Sequence, residues 1–177
     1  MAFSTPTLTT ERFLIRPIED SDLHHVFKGL SHPDVIKYYG VSYQSLESTE
    51  EQMEFYRKLV ETETGMYWAI CSRDNGIVYG VGGFNNLSHA HRKAEVGFWL
   101  FPEFWGQGIM NETMPTICNY AFEELKLHRI EGFIESDNQS CINSIERLGF
   151  NYEGTMKECE MKNGKFIDLA IYALFSK

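Results

Sequence analysis

Residues 101–112, FPEFWGQGIMNE, set two glycines, Gly106 and Gly108, at the point where a helix has to begin. An apolar alternating run, KAEVGFWLF (93–101), precedes them and a helix-periodic run over 107–125 follows. Glycine inside a helix costs about 1 kcal/mol relative to alanine, so the bare backbone needs another use. The first amides of a helix lack intrahelical partners and sit at the positive end of its dipole. Glycine lets an anion approach them without a side chain intervening. A tight strand-to-helix turn with no ligand is the competing reading of this motif. Two better-known phosphate loops are excluded. Gly108 is followed by Ile109 and Met110 rather than Lys and Ser or Thr, and position 111 is Asn where a dinucleotide fold needs a third glycine.

Around this turn the chain punctuates clearly. RFLIRPI predicts a strand at 12–18. A helix capped by Asp20 or Ser21 follows, with Leu23, Val26, Phe27 and Leu30 on one face. HPDVIKYYG predicts a short helix ending at Gly40, and a longer one spans 49–63, capped by Ser48 with Glu51. MYWAICS and IVYGVGGF flank the hairpin turn RDNG; NNLSHAHR reads as a polar loop. Pro115 should kink the 107–125 helix. RIEGFIE predicts a strand at 129–135, and NQSCINSIERLG a helix stopped by Gly149. Two strands then flank KNGK. The order gives one α/β (α+β) domain over 1–177: a mixed, mostly antiparallel sheet of about seven strands flanked by helices.

Net charge −9, from 25 acidic and 16 basic residues, argues against nucleic acid and favours cationic partners. The four cysteines form no C-x-x-C pair, which predicts reduced thiols and a cytoplasmic protein. Neither a secretory leader nor a membrane span is expected. His89 and His91 lack further ligands in the pattern, so no metal is expected.

AEVGFWLFPEFWGQGIMNE, DNQSCINSIERLGF and YEGTMKECEMKNGKFIDLAIYAL, with LTTERFLIRPIEDSD at the start, resemble the GNAT superfamily of N-acetyltransferases. The resemblance spans nearly the whole chain. It is greatest to the ribosomal-protein-alanine N-acetyltransferase branch and its spermidine-acetylating relatives. It implies the GNAT fold, acetyl-CoA as co-substrate, and direct attack of a primary amine on the thioester. It implies backbone contacts to the pyrophosphate from Gly106, Gln107, Gly108, Ile109 and Met110. Leu100 and Phe101 would face the pantetheine arm, and Asn138 and Asn143 would touch the coenzyme. Trp105 and Met110 depart from the superfamily's usual loop, as does Pro115 from the helix behind it.

Proton transfer needs a base for the ammonium and an acid for the thiolate. Ile145 stands where many family members carry an acidic tyrosine. The ribosomal branch implies Glu160 as base and a serine as acid, and the serine's place is taken by Cys141. Glu95 matches a base used elsewhere in the superfamily. Each has a bland alternative: a buried thiol, or strand carboxylates in solvent. Tyr38, Tyr39 and Glu51 fall where the family walls its acceptor pocket. The acceptor implied is a peptide N-terminal amine or a small-molecule amine such as spermidine, an amino sugar or an aminoglycoside. A coenzyme-A-binding sensor without turnover is the alternative from another class. Either a monomer or a homodimer suits these features.

Overall fold

The structure, a computed structural model, describes residues 3–177. One sheet of eight strands carries everything else, in the order β1-β2-β3-β4-β5-β6-β8-β7. These are β1 (Leu8–Thr9), β2 (Phe13–Pro17), β3 (Met66–Ser72), β4 (Val78–Ser88), β5 (Lys93–Leu100), β6 (Arg129–Glu135), β7 (Asn151–Lys162) and β8 (Lys165–Phe175). The strand beyond the expected seven is β1, two residues long, which pairs Leu8 with Ile15. A two-residue strand carries too little alternation to register in a sequence.

The helices are α1 (Leu23–Leu30), α2 (Pro33–Ile36), α3 (Leu46–Glu61), α4 (Ile109–Glu123) and α5 (Gln139–Arg147). Alternation along β3 sorts the two layers. Met66 and Trp68 join the core under α4 and α5 with Ile117, Ala121 and Ile145. Tyr67 joins the opposite core with Val26 and Leu30 of α1 and Met53, Tyr56 and Leu59 of α3. Arg16 anchors the entry to α1 by a two-pronged ion pair with buried Asp22, at 2.7 and 2.8 Å.

Three local expectations are corrected. Helix α3 starts at Leu46, capped by Ser45, whose hydroxyl accepts from Ser48 N–H at 3.1 Å; Ser48 answers as the third residue of the box, and Glu51 takes no part. The expected polar loop NNLS is strand. β4 continues to Ser88 through an irregularity in its pairing with β5, and Leu87 is buried there. Helix α4 begins at Ile109, not 107, because Gly108 is left-handed (φ 74°) and stands as its cap. Pro115 lies inside α4, which runs on unbroken as helix.

Every neighbouring strand pair is antiparallel except β5 and β6, which are joined through α4 and run parallel. That pair is short. Lys93, Ala94 and Glu95 face Arg129, Ile130 and Glu131, and pairing stops there, although β5 continues to Leu100 and β6 to Glu135. The sheet is therefore open in its middle.

Candidate active site

The opening leaves one edge of β5 bare. Phe101 N–H donates to Tyr79 C=O at 2.9 Å on the β4 side. In an antiparallel pair successive residues turn their backbone groups to opposite sides. Ala94 and Val96 therefore turn toward β6, and beyond the paired stretch Phe98 and Leu100 present N–H and C=O toward the gap. The Leu100 carbonyl accepts from the Trp105 indole at 2.9 Å, and the Phe101 carbonyl accepts from Phe104 N–H at 3.0 Å. Of the two residues expected to face a pantetheine arm, Leu100 keeps a free N–H and Phe101 has both backbone groups engaged. Phe98, which sequence reasoning missed, turns N–H and C=O to the side on which no strand pairs with it among the described residues.

The turn beyond β5 has the shape of an anion cradle. Gly106 and Gly108 are both left-handed, at φ 75° and 74°, a conformation that glycine adopts at no steric cost. A Cβ on Gly106 would meet no protein atom within 4 Å, and one on Gly108 only the Arg12 guanidinium at 3.5 Å. Packing does not demand these glycines; backbone shape and open space do. Among the described residues, the N–H groups of Gly106, Gln107, Gly108, Ile109 and Met110 donate to no protein acceptor. A row of free amides at a helix start fits a pyrophosphate. Gln107 folds back, its side-chain amide donating to the Glu103 carbonyl at 3.0 Å.

Helix α5 starts across the gap. The Asn138 side chain caps it, accepting from Cys141 N–H at 3.2 Å, while Asn143 is exposed and accepts from Gln139 at 2.8 Å. Burial pushes the Cys141 thiol up to about 11, so it holds its proton at neutral pH. Ile145 is buried over Gly132 of β6, where a glycine Cβ would come within 2.8 Å of its Cδ1. The place of the family's tyrosine is thus filled by an aliphatic packing residue.

Glu95 is the last residue of β5 paired to β6, half-buried at the apex of the gap, and accepts from the Asn86 side chain at 2.8 Å. Beside it runs a group of phenols. Tyr67 lies across the sheet beneath α3, with room made by Gly83 and Gly97, and donates to the Asn85 side chain at 2.9 Å. Burial raises the phenols of Tyr39, Tyr56 and Tyr67, and the Glu95 charge adds to the rise at Tyr39 and Tyr67. Among the described residues the Tyr56 hydroxyl and the Trp99 indole N–H are buried without a hydrogen-bond partner. Sequence reasoning named Tyr39 but missed Tyr56, Tyr67 and Trp99, which look like ordinary core aromatics.

Glu160 stands elsewhere. It is exposed on β7, opposite Ile167, and its carboxylate meets no donor among the described residues. Glu51 lies on the exposed side of α3. The far end of the gap is bridged by Lys162, which donates to the Lys37 carbonyl at 2.7 Å and to the Glu135 carboxylate. Tyr38 reaches the Asp137 carbonyl at 3.5 Å over the same bridge. A cavity of about 580 Å³ lies under α3 toward β2 and shares Tyr56 and Tyr67 with the phenol group; none of its walls comes from the 106–110 turn. Among the described residues no three His, Cys, Asp or Glu side chains gather as metal ligands, and no helix is long and apolar enough to cross a membrane.

Residues 12–151 match the family described as Acetyltransferase (GNAT) domain. An uncharacterized N-acetyltransferase of Bacillus subtilis (strain 168), YoaA, is 31% identical over 170 residues, 96% of each chain. The spermidine N(1)-acetyltransferase of Escherichia coli (strain K12) is 24% identical, over 86% of this chain and 80% of its own. RimL, a ribosomal L7/L12 alpha-N-protein acetyltransferase solved with coenzyme A, shares the fold at TM-score 0.86 and 22% identity, over 96% and 98% of the two chains. The open sheet, the glycine turn with its free amides, and the matched sequence agree: the chain belongs to the GNAT family and is an acetyl-CoA-dependent N-acetyltransferase.

Proposed function

We propose that the chain acetylates a primary amine carried on a cationic molecule, a peptide N-terminus before a polyamine, and that the gap between β5 and β6 is where donor and acceptor meet. The observation that carries this reading is the parting of the two strands at Glu95, between a row of free amides and a group of buried phenols. The amides of 106–110 hold the pyrophosphate, and Asn138 and Asn143 flank the coenzyme. Phe98 and Leu100 pair with the pantetheine arm as a missing strand would. The acceptor enters from the side of Tyr38, Tyr39 and the Lys162 bridge.

In this arrangement the ammonium gives its proton to Glu95, directly or through water. The neutral nitrogen attacks the thioester carbonyl, the C–N bond forms, and the C–S bond breaks. The Cys141 thiol supplies the proton that the departing sulfur needs and is reprotonated by the one that the acylated nitrogen releases. Glu160 is the second candidate for the base, as the exposed carboxylate on the β7–β8 hairpin that the family resemblance implies. The acidity of the chain attracts a cationic acceptor to this site. Four free cysteines suit a reducing, cytoplasmic setting. A spermidine-like acceptor is the second reading, favoured by the spermidine-acetylating relative.

Release of coenzyme A is measured over a panel of a basic N-terminal peptide, spermidine, an aminoglycoside and an acidic amino acid. The peptide should give the highest kcat/KM. A preference for the acidic amino acid sinks the electrostatic argument, and no release with any of the four places the acceptor outside these classes. Glu95→Gln should lower kcat/KM by about 10²- to 10⁴-fold and flatten the acidic limb of its pH profile. If Glu160→Gln does this and Glu95→Gln does not, the roles are exchanged.

A further inference from the structure

Helix α4 presents a difficulty for an anion site: Glu112 lies in its first turn. A carboxylate there competes with any phosphate for the same positive helix end. The structure answers it with one side chain from a distant segment. The guanidinium of Arg12, the residue just before β2, donates through Nε to Glu112 Oε2 at 2.6 Å. The other Glu112 oxygen accepts from Arg12 N–H at 2.9 Å and from the Thr10 hydroxyl at 2.7 Å. Burial pushes the Glu112 carboxyl up, but these donors outweigh it and leave it below its usual value, so it stays ionised and occupied.

The same guanidinium has a second contact. Its Nη1 donates to the Gln107 carbonyl at 3.2 Å. That carbonyl shares a planar trans peptide with the Gly108 N–H, so fixing the C=O toward Arg12 turns the N–H the opposite way. Nη2 remains within 3.5 Å of where a Gly108 Cβ would stand, at the lip of the cradle. One cation thus engages the opposing carboxylate, orients an amide and adds positive charge at the turn.

We propose that Arg12 is a positioning residue for the acetyl donor, which sets the Gly108 amide toward the pyrophosphate and cancels the field of Glu112. The proposal rests on the coenzyme lying at the 106–110 turn. Its readout is selective, because only a donor with a pyrophosphate feels it. S-acetylpantetheine has the thioester and the arm but no phosphate group.

Calorimetric titration with coenzyme A should show Arg12→Ala weakening affinity by about 10- to 100-fold, the scale of a lost charge-assisted hydrogen bond. Adding Glu112→Gln to it should restore about fivefold or more, since the unopposed carboxylate is gone. In kcat/KM, the loss in Arg12→Ala should be about fivefold or more larger with acetyl-CoA than with S-acetylpantetheine. Affinity within twofold of wild type overturns the proposal, as does an equal loss on both donors. A double variant as weak as Arg12→Ala also overturns the charge argument. Should Arg12→Ala fail to fold, Arg12→Lys replaces it: the cation stays and the fork is lost, and a donor-selective loss is again required. Gly108→Val separates the two levels. If it leaves coenzyme affinity unchanged, the placement of the coenzyme fails; if it weakens binding while Arg12→Ala does not, Arg12 alone is wrong.

Discussion

Gly97 looks like a break in the strand run KAEVGFWLF, yet its missing side chain is what admits Tyr67 to the site. A Cβ there would lie 2.3 Å from the Tyr67 hydroxyl and 3.1 Å from its Cζ, closer than packed atoms come. Gly97→Ala therefore has to push the phenol off Asn85, beside the Glu95 and Asn86 pair. Overpacking of this kind typically costs about 1–3 kcal/mol. The expected outcome is a lower Tm and lower kcat/KM. Tyr67→Phe removes the atom in closest conflict and should recover part of the stability in the double variant. Purely additive effects in differential scanning calorimetry would show that the two residues do not meet in this way. The glycine's position was plain in the sequence; its partner, about thirty residues earlier on a strand two places away, was not, because period-2 patterning names the face and not the neighbour.

Among the elements, α4 carries the sharpest conflict between local rule and structure. Proline in a helix interior removes a backbone bond and clashes with the preceding turn, and Pro115 was expected to kink the helix. The helix runs continuously from Ile109 to Glu123, with Pro115 on its exposed side and Met114, Ile117 and Cys118 buried around it. Burial of the opposite face holds the helix against its own propensity. Pro115→Ala should then stabilise the protein, by up to about 3 kcal/mol, the difference in interior helix propensity. Urea unfolding reads this directly, and a destabilised variant would mean that the proline's constrained backbone is itself needed. Elements with strong periodicity were legible in the sequence: α1, α4, α5 and both hairpins stand within a few residues of expectation. The misses were local contests. Ser45 and Ser48 each offered a cap in front of the same helix, and the longer apolar face beginning at Leu46 selected the first. NNLS scored as a loop on composition, although Leu87 had a buried place waiting on the sheet.

At the scale of the molecule, what no local pattern announced is the parting of β5 and β6, since a strand's sequence does not say where its neighbour leaves it. The glycine turn was legible because backbone conformation constrains residue type, and the two asparagines were named only through the family resemblance; the phenol group and the Arg12–Glu112 pair were not legible, because tertiary contacts assemble them. The same tertiary burial makes a whole-molecule prediction. Cys71 is fully buried and pushed up to about 11, and Cys118, 3% exposed, up to about 12, both by burial. An unfolded thiol ionises near pH 8.5. Between about pH 9 and 11 the unfolded chain has released two protons that the native chain keeps, so it binds fewer protons and stability must fall as pH rises, by about 2.7 kcal/mol per pH unit. Below the unfolded value both states keep these protons, and the contribution is constant. Cys141, less deeply buried, steepens the fall. Urea unfolding with reductant at pH 6, 7, 9 and 10 should show a flat start between pH 6 and 7 and then an approach to this slope between pH 9 and 10. Cys118→Ala should lower stability at neutral pH through its small cavity, yet reduce the alkaline slope by about 1.4 kcal/mol per pH unit. If the slope is the same with and without Cys118, its thiol is not held protonated by the fold, and the shielding that keeps the proton on Cys141 loses its closest parallel.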